Sequence, residues 1–421
     1  MTALSACPVA HGRVDLFDPE FIAAPDLQLA ELRDSAPVHF DELTGCWLVS
    51  RHADIRAVLA KPQIFRPDNA LTAVTDIDPS ALRILARVGF QLPATLANNG
   101  GSSHAELRRL IMQFFGPARI AKALPVIRQL AQESAAEVTK ELDAAGAADL
   151  VELVTRDLPA RVLMKVLSLD DIDLLTLKRW STASLELFWG NPDVERQQVL
   201  AVEAAAYYSW IRERIVTADP SGEGLFSVLS AHRGPDGGPL RIQESVGICY
   251  FLLVAGQETT SQFLSTVLRR LVGMPELWRR LARADRYPDE LLAAECVEEV
   301  LRREPPVVTW RRVTAEPVHL GDHLLPAGAE LVLMLAGSGS DPEVFDDPTD
   351  FIPGRPAARQ HLAFGFGRHF CLGATLARIE AQEVLLTMAR ALPGIALVEA
   401  QPPMLGLLSF RAPLRVLVSR A

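Results

Sequence analysis

Apolar residues recur at helical spacing through most of the chain, and that pattern predicts a mainly α protein with a small β-rich part. Helices are expected over residues 27–35 and 51–60, from His104 onward, and across most of 119–215, with breaks near 145–146, 170–173 and 190–192. The longest helical run, 247–272, is apolar on nearly every face and is expected to be buried. Alternating or β-branched runs at 37–40 and 46–50, around a turn at Thr44 and Gly45, read as a strand pair. Further strand-like runs stand at 318–320 and 330–335, and short strands follow Leu392. Residues 65–101 hold Pro67, Pro79, Pro93, Gly100 and Gly101 and read as a long irregular region, expected to wall a binding pocket.

Nothing repeats at a fixed period, and no low-complexity tract or flexible linker divides the chain. A single domain over 1–421 is expected, its β-rich part at about 36–50, 305–340 and 393–421. Hydrophobic residues at 49% give 421 residues ample core, and a formal charge of -10 argues against nucleic acid as a partner. The five cysteines, Cys7, Cys46, Cys249, Cys296 and Cys371, lie far apart with no C-x-x-C pair, which suits a reducing cytoplasm. The first twenty residues carry Arg13, Asp15, Asp18 and Glu20, and no apolar run reaches membrane-spanning length, so neither a leader nor a membrane anchor is expected.

The candidate chemistry lies in residues 361–389. Gly365 and Gly367 allow a tight loop before Cys371, and an amphipathic helix follows, with Leu372, Leu376, Ile379, Val384, Leu385 and Met388 on its apolar stripe and Arg378 and Glu380 off it. A cysteine at a helix N-terminus is favoured as thiolate, and Gly373 would let nearby amides approach the sulfur while Phe364 covers the loop. Such a site suits a haem iron with a sulfur ligand; a buried small hydrophobe is the competing reading.

Phe364, Gly367, Cys371 and Gly373 form F-x-x-G-x-x-x-C-x-G, which resembles the haem-binding signature of the cytochrome P450 family. The resemblance implies a cytochrome P450 fold, haem b ligated by Cys371, and oxygen activation. Three more motifs agree in order. Ala255 to Thr260, A-G-Q-E-T-T, is similar to the family's oxygen-binding motif and implies that Glu258 and Thr259 relay protons beside Ala255. By spacing alone this is equally a buried helix with a tolerated glycine, or one that Gly256 and the threonines widen. His104 and Arg108 lie four apart on one helix face, either solvated or gripping an anion; the resemblance assigns them a haem propionate, although Gly101, Ser102 and Ser103 replace the family's Asp-Pro-Pro lead-in. Glu299 and Arg302 before Pro305 and Pro306 match the family's E-x-x-R pair, with Glu298 competing for the same partner.

His369 and either Arg311 or Arg312 match further propionate ligands, Arg312 being the closer match, and residues 341–355 resemble the segment before the haem loop, with Ser338, Gly339 and Ser340 in place of Ala-Asn-Arg. The implied activity is insertion of one oxygen atom from O2 into a small organic substrate, with NAD(P)H electrons delivered by a ferredoxin and its reductase or by a flavodoxin-type partner. Arg109, Arg119, Lys122 and Arg368 are the expected docking face. Asn98, Leu185, Val254, Val308, Trp310 and Leu408 are the expected pocket residues, and Phe188 with Trp189 the expected lid. Oxidative coupling of an aromatic natural-product intermediate and a non-catalytic haem-thiolate sensor are the alternatives.

Overall fold

Ile242–Val272 forms one unbroken 31-residue helix, α11, against which half of the other helices pack. The computed structural model describes residues 14–169, 172–234, 237–283 and 291–420. The Cys7 and Arg13 readings, and part of the break read near 170–173, fall outside the described residues. In chain order the other helices are α1 (Pro19–Ala23), α2 (Asp26–Ser35), α3 (His52–Ala60), α4 (Pro79–Arg87), α5 (His104–Met112), α6 (Pro117–Ala145), α7 (Leu158–Leu167), α8 (Leu174–Trp189), α9 (Val194–Val216) and α10 (Leu225–Ala231) before α11, and α12 (Pro275–Leu281), α13 (Leu292–Arg303), α14 (Leu335–Ser338) and α15 (Ala374–Ala391) after it. The strands are β1 (Val38–Asp41), β2 (Cys46–Val49), β3 (Phe65–Arg66), β4 (Ala147–Asp149), β5 (Trp310–Thr314), β6 (Val318–Leu320), β7 (His323–Leu325), β8 (Glu330–Leu333), β9 (Ile395–Leu397) and β10 (Leu417–Arg420).

α11 is buried on most of its circumference, with α7, α8, α9 and α15 packed around it. Gly256 marks the tightest approach, where an added Cβ would stand 2.9 Å from Leu163 Cδ1 on α7. This glycine therefore serves packing, and the helix neither widens nor breaks there: the Thr259 hydroxyl donates to the Ala255 carbonyl at 2.6 Å instead. The core built on α11 joins α6, α7, α8, α9, α13 and α15, while a smaller cluster lies under the sheet.

That sheet has strand order β1-β2-β8-β5-β3, with β2 parallel to β8 and the other pairs antiparallel. β4, β10 and β9 form a second sheet and β6 and β7 a hairpin. Three elements depart from the sequence reading. Residues 147–149 add a strand, the run expected to reach residue 335 as a strand ends at Leu333 and turns into α14, and the irregular region contains α4. Pro79 starts α4 instead of breaking it, because proline fits the first helical turn and the Asp78 carboxylate caps it by accepting from Ser80 N–H at 2.7 Å.

Candidate functional site

α11 and α15 border a cavity of about 240 Å³ that brings together residues far apart in sequence. Ala255, Gly256, Thr259 and Thr260 line one side, and Phe364, Cys371, Leu372 and Gly373 line the other. Gly365 (φ 71°) and Gly367 (φ 72°) adopt left-handed backbone, so the chain doubles back and Cys371 N–H donates to Phe364 O at 3.0 Å. The accessible face of the Cys371 sulfur is the one turned to this cavity.

Burial pushes the Cys371 thiol up, while the amides of Gly373 and Ala374 and the charges of Arg108 and Arg378 pull it the other way. The expected thiolate bias from the helix terminus is thus present but outweighed in the protein alone. Gly373 is not what admits the amides, because a Cβ there would stand an ordinary 4.0 Å from the sulfur.

One rim of the cavity is cationic. The His104 and His369 rings meet at a tilt with 4.3 Å between centroids, Arg312 faces them from β5, and Arg108 and Arg368 complete the group. Period two along β5 separates the two arginines: Trp310 and Arg312 line the cavity, whereas Arg311 points to the other face and binds Thr72 O. Both ring nitrogens of His369 and the Nε of Arg312 are buried without partners. Burial first, then neighbouring positive charge, lowers His369 to about 3 and His104 to about 4, and burial lowers Arg312 to about 10. Unsatisfied buried donors around a cavity fit acidic groups supplied from outside, as the two carboxylates of haem b would be, with the sulfur of Cys371 open toward the same space. The residues present fit that cofactor.

Glu258 faces away from this rim. Lys178 Nζ of α8 stands 2.6 Å from Glu258 Oε1, both side chains nearly buried. Nothing in the sequence flagged Lys178.

The E-x-x-R motif forms a buried knot. Arg302 Nε and Nη2 donate to the two oxygens of Glu299 at 2.8 and 2.7 Å, both side chains at 0% exposure. Glu299 Oε1 also accepts from Ile352 N–H at 2.9 Å and Arg355 Nε at 3.3 Å, and Arg302 donates to Pro348 O and Asp350 O. The pair thereby fixes the segment before the haem loop. The unusual Ser338, Gly339 and Ser340 fit this knot: Gly339 lies under the Arg302 carbonyl, where a Cβ would collide, and Ser340 meets Arg303. Glu298 takes different partners, Arg378 and His361.

Of the expected pocket residues, Leu185, Val254 and Trp310 line the cavity; Asn98, Val308 and Leu408 do not. The Asn98 side chain is spent on Thr95 N–H and the carbonyls of Leu92 and Pro93. Val308 and Leu408 line a separate small space behind Phe410, beside the N-terminal helices. Trp189 lines the cavity, but Phe188 is core and stacks on Phe90. Sequence reading missed Leu96, Phe251 and Phe410 as lining residues, and Glu380, expected off the apolar stripe, is buried at the cavity floor with Oε2 unpaired.

The family profile described as Cytochrome P450 matches residues 224–392. Over 384 residues the chain is 32% identical to cytochrome P450 monooxygenase PikC of Streptomyces venezuelae, covering 90% of this chain and 86% of that one. It is 33% identical over 354 residues to mycinamicin IV hydroxylase/epoxidase of Micromonospora griseorubida, covering 83% of each. Among solved structures, cytochrome P450 CREJ in complex with (4-ethylphenyl) dihydrogen phosphate superposes with a TM-score of 0.89 at 28% identity, over 95% of this chain and 98% of that one.

Proposed function

The chain belongs to the cytochrome P450 family, and from that premise we propose that it hydroxylates a neutral, largely apolar organic molecule in the cytoplasm, with Glu258 and Thr259 as its proton-handling pair. It is a haem monooxygenase that uses O2 and, indirectly, electrons from NAD(P)H. Haem b supplies the oxygen chemistry, by which one atom of O2 enters a substrate bond and the other leaves as water.

Cys371 holds the cofactor through sulfur, and His104, Arg108, Arg312 and His369 hold its carboxylates. Thr259 lines the cavity and can present its hydroxyl to a water there by leaving the Ala255 carbonyl. Glu258, its neighbour, brings a proton from the α8 side once Lys178 lets go.

The lining of the cavity supports the substrate class. Leu96, Leu185, Phe251, Val254, Val307 and Trp310 give it apolar and aromatic walls, and its cations all sit at the rim assigned to the carboxylates. An anionic ligand such as the aryl phosphate bound to CREJ therefore has no counterpart cation on the substrate side among the described residues. The relatives named 6-deoxyerythronolide B hydroxylase and mycinamicin IV hydroxylase/epoxidase support a natural-product intermediate as the favoured choice.

For electron delivery we favour a ferredoxin with its reductase or a flavodoxin-type protein, docking near the exposed Arg109 and Lys122. Arg119 and Arg368 are braces instead: Arg119 donates to Ser168 Oγ at 2.8 Å and Arg368 to Gly101 O at 2.8 Å.

The single observation that carries the reading is Cys371 facing Thr259 across one cavity. Purified, reduced protein treated with carbon monoxide should show the red-displaced Soret band of thiolate ligation, and O2 uptake should depend on added substrate with an oxygenated product. Absence of that band, with pigment retained in Cys371→Ser, would overturn it.

A further inference from the structure

Two adjacent glutamates on α13 have separate duties. Glu299 serves the buried knot described above, whereas both oxygens of Glu298 point toward the cysteine loop. Arg378 Nε and Nη2 donate to Glu298 at 2.5 and 3.1 Å, and His361 Nε2 lies 3.2 Å from Oε2. His361 Nδ1 in turn accepts from Ala363 N–H at 3.2 Å, so the network grips the loop one residue before Phe364.

The Arg378 guanidinium lies 4.6 Å from the centroid of the Phe364 ring and donates to the Ala374 carbonyl at 3.4 Å, placing it over the first turn of α15. The amides of that turn face the Cys371 sulfur. Glu298 and His361 are nearly dry and Arg378 is 20% exposed, so a charge here is weakly screened. His361 and Arg378 outweigh the effect of burial on Glu298 and bring it to about 2, which makes it a full anion, and burial keeps His361 below its usual range. The three groups therefore sum to no net charge beside the sulfur.

We propose that the Glu298–Arg378 pair sets the electron-donating strength of the Cys371 sulfur, by placing a positive charge over its loop and compensating it from α13. This rests on the haem-thiolate reading and adds a pair of positioning residues to it. Removing the anion alone leaves a cation beside the sulfur, which weakens donation and favours the reduced, less positive centre; removing the cation alone does the reverse.

The test is the midpoint potential of haem-loaded protein, followed spectroscopically in wild type, Glu298→Gln, Arg378→Gln, the double variant and Arg378→Lys. The expected pattern is an upward shift for Glu298→Gln, a downward shift for Arg378→Gln, and values near wild type for the double variant and for Arg378→Lys. Shifts of one sign in both single variants, or none, overturn the proposal, because a loosened loop does not distinguish the sign of the charge removed. Loss of the thiolate carbon monoxide band in both single variants overturns it as well and leaves the pair a mechanical brace. Its absence from wild type would instead strike the haem-thiolate reading itself.

Discussion

Lys178 on α8 and Glu258 on α11 form a nearly buried ion pair of 2.6 Å, so the acid of the oxygen-side motif is tied to a different helix. Breaking a buried pair by removing one partner costs about 3–5 kcal/mol because the other charge stays behind. Lys178→Met should lower thermal stability strongly, and Lys178→Met with Glu258→Gln should recover much of it while product formation stays low. Calorimetry of the variants and of wild type beside a substrate-dependent turnover assay checks both halves.

Thr259→Ala removes the hydroxyl that lines the cavity and donates to Ala255 O. One such hydrogen bond contributes about 1 kcal/mol, so the variant should fold and bind haem normally. Electron flow should continue with more peroxide and less oxygenated product. A variant as tightly coupled as wild type contradicts the relay.

Glu299→Gln or Arg302→Lys should do more damage than any surface ion pair of the chain. With both partners at 0% exposure and Arg355 and the 346–352 segment hanging on the same knot, the loss should be at least about 3 kcal/mol, read as reduced haem-loaded yield and a lower unfolding midpoint. Exposed pairs such as Arg415 with Glu399 should cost far less when broken, measured in the same way.

Arg312 and Arg311 are neighbours with opposite predicted effects. Arg312→Gln should speed transfer of haem to an acceptor globin, because it removes a donor from the cavity rim; Arg311→Gln should leave that rate near wild type while loosening the 69–72 loop it holds. Equal rates for the two variants would reject the assignment.

The apoprotein should lose stability as pH falls from about 6.5, the ordinary histidine value, toward the folded values of about 4 and 3 for His104 and His369. The unfolded chain binds protons in this window that the folded one refuses, so the slope of unfolding free energy with pH is positive. Bound haem carboxylates favour the protonated rings, so the slope should shrink in the loaded protein. Urea midpoints of both forms across this range provide the measurement.

What the sequence revealed depended on how locally each feature is written. Cys371 beside its glycines, and Glu258 beside Thr259, are legible because their chemistry needs neighbours on one loop or one helical turn. The Lys178–Glu258 pair spans eighty positions, and a lone lysine on an amphipathic helix reads as a solvated face. Glu380 was misread for a related reason: carboxylates are rarely fully buried, yet burial here raises its pKa well above the usual range. Asn98 and Val308 failed by register, standing one residue beyond the lining Ala97 and Val307 in non-helical chain where successive side chains take different sides. The fold class was plain from helical periodicity, whereas β4 was too short to carry a pattern of its own.

Gly339, seated beneath the Arg302 carbonyl, sets a rule for building chimaeras with this protein. A crossover that imports asparagine at this position from a donor with Ala-Asn-Arg there drives a side chain into the backbone of α13, so the graft succeeds only when α13 travels with it. The seam for segment exchange therefore belongs upstream of Leu292 and not between the two motifs.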